Sequence, residues 1–453
     1  MQTPYLPHTD SDVKEMLETI GVESVDDFFA DIPKGLQNHE FVLPAPLSEL
    51  EVVASLRESV AANRPLASFM GGGSYRHFIP AAVDAVCSRS EFYTSYTPYQ
   101  AEVSQGTLQA VYEFQSMICA LTGLDVANAS LYDGASAVAE AALMAVRKTR
   151  RSEILVARYL HPHYRQVLET YLSGTDLEVV EIPAREGVSD LEGLKERISK
   201  DAAAVVLPQP NFLGLLEPVH DLAPVAKEAG ALAIAVCNPI SLGVLPAPAE
   251  YGADIAVGEG QPLGIPPSFG GPGLGFMAAR DDLKRNMPGR IVGQAFDAKG
   301  RRGFVLTLQA REQHIRREKA TSNICTNEGL CALAAAVYLA LMGPEGLRTV
   351  GQLNLERSHD ALARISGIPG VRPAFDGLGS PARPFFNEFP VRVPTDADAL
   401  IHAAAEEGIG LGIHLGAHFP ELENCLALCA TEMTTDADVV KLADFLERRL
   451  SGK

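Results

Sequence analysis

Through the middle of the chain, short apolar runs alternate with amphipathic stretches. The runs lie at 154–157 (I-L-V-A), 177–182, 204–207, 231–236, 254–257 and 275–279, with helix-period segments near 163–172, 190–199 and 222–228. Continuous apolar strands separated by helices predict a mostly parallel sheet covered on both faces. Such sheets bind ligands at the carboxyl ends of their strands. Ahead of this region, Leu108, Val111, Tyr112, Ile118 and Cys119 recur at helical spacing and predict a helix over 105–121. A second long helix is expected over 137–147. Residues 11–63 read as short acidic helices broken by Pro33, Pro44 and Pro46, an extended arm. The longest apolar run, 329–343, is short of the roughly 20 residues that span a bilayer and reads as a buried helix. Gly343-Pro344 then breaks the chain, and strands near 389–393 and 425–430 lie between helices. The expected organisation is an arm (1–65), a large α/β domain (66–343) and a smaller C-terminal α+β domain (344–453).

Composition narrows the partners. Lys plus Arg total 38 against 57 Asp plus Glu, a formal net charge of -19 over 453 residues. Such a surface repels phosphate backbones and anionic membranes, so neither nucleic acid nor a membrane is expected as a partner. The seven cysteines are scattered, odd in number and never spaced C-x-x-C, which is reduced, intracellular usage. The first ten residues lack the pattern of a secretory or transit leader. A cytoplasmic location is the expectation.

Two segments carry candidate chemistry in the sheet region. Tyr132-Asp-Gly-Ala-Ser136 opens the helix over 137–147; small residues there leave N–H groups free for an anion such as a phosphate, or Asp133 or Ser136 simply caps the helix. Residues 258–276 run strand, Gly/Pro-rich loop, G-G-P-G, strand. The glycines precede a strand, which excludes a dinucleotide fingerprint, and no Gly-Lys-Ser/Thr makes a P-loop. The pattern instead resembles the loop of fold-type I pyridoxal-phosphate enzymes that carries the Schiff-base lysine. In this chain Gln261 holds the lysine's place, and no lysine occurs between Lys227 and Lys284. The strand that ends in an Asp for the pyridinium nitrogen ends here in Asn238, which brings no negative charge. Two key positions are blank.

The segment Tyr93-Thr-Ser-Tyr96-Thr97-Pro98-Tyr99-Gln100-Ala-Glu102-Val-Ser104 is denser in hydrogen-bonding side chains than a connector needs, though tyrosines anchoring a solvated loop in the core give the same pattern. With G-S-Y-R-H-F-I-P-A-A-V upstream, L-T-G-L-D-V-A-N-A-S-L-Y-D-G-A-S downstream and R-E-Q-H-I-R-R-E-K-A-T-S-N-I-C-T-N at 311–327, it resembles the P-protein of the glycine cleavage system. The similarity runs over essentially the whole chain and is narrowest to the α-type subunits of two-subunit P-proteins.

That resemblance implies a fold-type I transferase-like large domain, and a subunit without the lysine. Pyridoxal phosphate belongs to a β-type partner, with none covalently bound here, in an α2β2 assembly. Together the subunits decarboxylate glycine and pass the aminomethyl group to the lipoyl arm of the H-protein; this chain alone is expected to be inactive. Tyr96, Thr97, Tyr99, Gln100 and Glu102 are the residues expected to be donated to the partner's site. Thr321, Ser322 and Asn323 resemble a partner-strand motif that reaches the neighbouring cofactor phosphate, or else cap the helix ahead of Glu328. The basic run Arg311, His314, Arg316, Arg317 and Lys319 either shapes a positive field there or forms a charged face. A scaffold pseudoenzyme that binds the lipoyl carrier is the alternative function; a lyase using Lys284 or Lys319 places its lysine too far from the loop. His161 and His163 follow the first strand of the sheet, where a group over a cofactor ring often sits. His414 and His418 have i, i+4 spacing but lie in a strand-like segment, so no metal site is expected.

Overall fold

The computed structural model describes residues 5–37 and 42–450. It divides into two compact units, Met1–Arg64 and Pro65–Lys453. The first holds helices α1 (Asp10–Ile20) and α2 (Glu49–Ala61), each opened by a capping box, Thr9 with Asp12 and Ser48 with Glu51.

The second unit is built on a seven-stranded sheet: β1 (Val126–Ala127), β2 (Glu153–Ala157), β3 (Glu178–Ile182), β4 (Ala202–Gln209), β5 (Leu232–Cys237), β6 (Ile255–Glu259) and β7 (Gly275–Ala279). The order is β1-β7-β6-β5-β4-β2-β3; the pairings from β3 to β6 are parallel, while β7 runs antiparallel to β6 and to β1. The fold is α/β with a mostly parallel sheet, as the alternation of apolar runs predicts.

The period-2 alternation of strand side chains explains why both faces are apolar. Ile154, Val206, Ile234 and Val257 point to one face, against the alanine-rich helix α4 (Gly134–Thr149). Leu155, Val205, Ala235 and Phe276 point to the other, against α3 (Gln105–Thr122), α7 (Val219–Glu228) and α8 (Gly329–Ile365). The remaining crossovers are α5 (Pro162–Leu172) and α6 (Leu191–Arg197). Helix α8 has the length and composition to cross a membrane, but it bends at Gly343 (φ 58°), and its apolar face, with Ala332, Ala335 and Tyr338, lies in the core.

Between β7 and α8 stands an antiparallel hairpin, β8 (Ile291–Phe296) with β9 (Arg302–Thr307). Beyond α8, β10 (Arg372–Pro373), β11 (Glu388–Arg392), β12 (Ile413–His414) and β13 (Cys425–Cys429) form an antiparallel sheet in the order β10-β11-β13-β12. With α9 (Ala397–Glu406) and α10 (Asp436–Leu450) it packs around Phe389, Leu426, Leu442 and Phe445, a core to which Phe69, Tyr159, Phe212 and Leu215 also contribute.

Candidate functional site

Two cavities matter. The first lies where parallel strands place ligands, at the carboxyl ends of β4, β5 and β6. It encloses only about 70 Å³ and is lined in part by His161, Tyr164, Asn238, Glu259 and Glu388. Ligand pockets usually run to about 300–1,000 Å³. Its lining contains two carboxylates and, among the described residues, no lysine or arginine.

Gln261 sits where the lysine would stand, two residues past β6, and is buried. Its Oε1 accepts the Tyr75 N–H at 2.9 Å, and its Nε2 donates to the carbonyls of Tyr75 at 3.0 Å and Ile265 at 2.5 Å. The carboxamide is thus locked to backbone on two sides. Asn238 follows β5; its Oδ1 accepts the Ile240 N–H at 3.0 Å, and its Nδ2 is buried without a partner. That donor could serve any acceptor entering the cavity, but it could not accept from a protonated ring nitrogen. His161 stacks on Tyr164 at 4.6 Å, and its Nε2 lies 2.8 Å from the Gly72 carbonyl. Burial draws its pKa down to about 4, so the ring is neutral near pH 7. Glu388 on β11 accepts from Gly72 N at 2.6 Å and from the Tyr75 hydroxyl at 2.7 Å, and burial pushes its carboxyl up to about 6. These residues do not fit a covalently held pyridoxal phosphate: no amine is in reach, no cation faces a phosphate and the space is too small.

The second cavity is larger, encloses about 250 Å³, and is built by segments far apart in sequence. Ser95, Tyr96, Thr97 and Pro98 form one wall; Thr326 and Asn327, just before α8, form another; Val111, Val292 and Leu306 supply an apolar lining. Arg290, which precedes β8, also lines it, although it is only 6% exposed. Its Nη1 donates to Asn327 Oδ1 at 3.3 Å, its Nε stands 4.0 Å from Glu312, and the guanidinium lies 5.9 Å from the Tyr99 ring centroid. A guanidinium has five N–H donors, so most of its capacity is unspent.

The structure brings together some of the residues singled out above and separates others. Tyr96 and Thr97 line the larger cavity, and Tyr99 leans over Arg290. Tyr96 is 81% and Tyr99 69% exposed, so the loop's tyrosines are not core anchors. Gln100 and Glu102 lie at the following 3-10 turn, exposed and outside the lining. Thr321, Ser322 and Asn323 also fall outside it; they do not cap α8, which begins eight residues after Thr321 behind Glu328. Their bonds are local: Thr321 N donates to the Arg311 carbonyl at 3.0 Å, Ser322 Oγ accepts from Ile324 N at 3.0 Å, and Asn323 Oδ1 accepts from Gln313 at 3.2 Å.

The basic run is heterogeneous. Arg311 is half-buried and spent on the carbonyls of Met287, Leu308 and Gly289, whereas Arg317 and Lys319 are exposed. His414 contacts Asp398 at 3.0 Å, and among the described residues no cluster of metal-ligating side chains is present. Sequence reasoning did not single out Arg290, which carries no motif of its own, or Asn327, the last residue of the 311–327 motif.

Residues 3–446 match the family described as glycine cleavage system P-protein. The chain is 51% identical over 436 residues to a probable glycine dehydrogenase (decarboxylating) subunit 1 of Moorella thermoacetica, covering 96% of this chain and 97% of that one. The corresponding protein of Geotalea uraniireducens is 48% identical, covering 98% and 100%. A crystal structure of glycine decarboxylase (P-protein) of the glycine cleavage system in inhibitor-bound form superposes with a TM-score of 0.86 at 45% identity, covering 98% of this chain and all of that one. A sphingosine-1-phosphate lyase of Burkholderia pseudomallei shares the fold at a TM-score of 0.65 and 15% identity, covering 93% and 94%. The chain belongs to the glycine cleavage system P-protein family.

Proposed function

We propose that this chain is the non-lysine subunit of a glycine decarboxylase, the glycine dehydrogenase (decarboxylating) of the glycine cleavage system. It works with a β-type subunit that carries the lysine and the pyridoxal phosphate, in an α2β2 cytoplasmic assembly that hands the aminomethyl group to the lipoyl arm of the H-protein. The observation that carries this reading is Gln261, locked by three hydrogen bonds in the lysine's place of a chain that matches the family along nearly its whole length. Whole-chain kinship to named subunits favours it over a scaffold role.

Pyridoxal phosphate, when bound in the partner, withdraws electrons from the substrate so that CO2 can leave. This chain's residues orient and bind. Tyr96 and Thr97 bring hydroxyl-bearing side chains to the lining of the larger cavity, Tyr99 and Asn327 hold Arg290, and the apolar wall of Val111, Val292 and Leu306 excludes water. Exposed tyrosines on one loop are also what a protein interface selects, which supports a partner docking over this face. Thr321, Ser322 and Asn323 are proposed to reach toward the partner's cofactor phosphate, with Gln100 and Glu102 lining the approach. The division into an arm (1–65), a large domain (66–343) and a C-terminal domain (344–453) is part of the same proposal.

The test is reconstitution. Glycine–CO2 exchange is expected only when the full chain is mixed with a lysine-bearing partner. Exchange by this chain alone, supplied with pyridoxal phosphate, would overturn the reading.

A further inference from the structure

The start of α4 reads from sequence either as a seat for a phosphate or as an ordinary helix cap, and the structure contains both features. Asp133 caps the helix, its Oδ1 accepting from Ser136 N at 2.7 Å. The N–H of Gly134, at the first turn, donates instead to Oε2 of Glu259 at 3.0 Å. The other oxygen of the same carboxylate accepts from Gln261 N at 2.9 Å and Leu274 N at 2.6 Å. One side chain thus gathers N–H groups from the helix start, from the turn after β6 and from the approach to β7. An anion at a helix N-terminus bound by backbone N–H groups is the arrangement by which such sites hold phosphate.

The backbone around the Glu259 carboxylate is closely packed. A Cβ placed on Gly134 would meet Glu259 N at 3.0 Å and crowd the Tyr164 hydroxyl; one on Gly273 would lie 3.1 Å from Glu259 Oε2. The cavity that opens alongside is the one of about 70 Å³ with Glu259 and Glu388 in its lining. A phosphate entering there would meet the carboxylates of Glu259 and Asp133 at the same helix end, with no cation to offset the repulsion.

We propose that Glu259 is a built-in occupant of this seat: its carboxylate takes the hydrogen bonds that a cofactor phosphate would otherwise take, and so closes the chain's own pocket to phosphorylated ligands. The bonds then do a structural job, tying α4 to β6 and β7 at the point where a cofactor would tie them. This holds independently of what the larger cavity does.

The experiment is amide hydrogen exchange on the full chain, followed at the segment containing Gly134, with inorganic phosphate and with pyridoxine 5′-phosphate, which lacks an aldehyde and cannot label surface lysines. In the unaltered chain neither probe is expected to slow exchange at that segment. Glu259→Ala empties the seat, and inorganic phosphate is then expected to slow exchange at Gly134 by roughly tenfold or more, as filling the vacated hydrogen bonds requires. Phosphate-dependent protection of Gly134 in the unaltered chain would overturn the proposal, as would a folded Glu259→Ala chain whose exchange ignores phosphate. If that variant does not fold, the unaltered chain decides alone: unchanged exchange supports the occupied seat, and protection refutes it.

Discussion

The small cavity at the ends of β4–β6 and the larger one beside Tyr96 hold polar groups in different states of use. Around the small one, the functional atoms of Glu259 and Glu388 in its lining, and of Gln261 two residues on from Glu259, are engaged by backbone N–H and C=O groups or by Tyr75, with Asn238 Nδ2 an exception. Around the larger one, among the described residues, Tyr96 and Thr97 line the space without side-chain hydrogen bonds, and a buried guanidinium makes a single one. Polar side chains spent on backbone stabilise a fold; those left unspent around a cavity are available to a ligand or a partner. The contrast divides residues into those whose loss should cost stability and those whose loss should cost turnover.

The largest effect should come from the larger cavity. Tyr96→Ala combined with Thr97→Val, in an assembled complex, should slow glycine–CO2 exchange about 10²-fold, the size of a lost positioning contact, with the melting temperature of the chain unchanged. Equal losses of stability and exchange would erase the division. Beside the small cavity the expectation reverses. Gln261→Ala leaves Tyr75 N, Tyr75 O and Ile265 O without their partners and should cost about 2–3 kcal/mol of stability in denaturant unfolding, while exchange by the assembled complex stays at its original rate.

Glu388 sharpens the same side through pH. Burial raises its folded-state pKa to about 6, so between pH 4.5 and 6 the folded chain binds more proton than the unfolded one. Its contribution is therefore fully present below about pH 4.5 and is lost as pH rises through 6, a change of about 1–2 kcal/mol. Glu388→Gln should remove that slope from the stability profile, read by denaturant midpoints across the range. The smallest effect belongs to Tyr99→Leu, which removes the ring lying near Arg290 and should cost less than about 1 kcal/mol, with a rise in the substrate KM as its clearest sign.

Most of the scaffold was legible because strands buried on both faces must be largely apolar, as the inner strands between 154 and 279 are; the edge strand β3, E-V-V-E-I, is only partly buried. The blank at Gln261 was also legible, since the resemblance of the 258–276 loop to that of fold-type I pyridoxal-phosphate enzymes marks where a lysine belongs. The two cavities were not. Glu259 joins Gly134 across 125 positions and Arg290 joins Asn327 across 37, and neither pairing has a local pattern. The 93–106 loop announced itself by side-chain density, yet nothing in its sequence separates Tyr96 and Thr97, which line the cavity, from Gln100 and Glu102, which do not. Thr321, Ser322 and Asn323 share a motif with Thr326 and Asn327, but only the last two reach the cavity, because the chain makes local turns at Arg317–Lys319 and between Ser322 and Ile324 before rising to α8.

The central claim is that the chemistry's cofactor is held by the partner and not by this chain. Borohydride reduction of the assembled complex with pyridoxal phosphate, followed by peptide mapping, tests it directly. The account predicts a pyridoxyl label on one lysine of the partner and none at stoichiometric yield on this chain; a stoichiometric label on Lys284, Lys319 or any other lysine of this chain would contradict it.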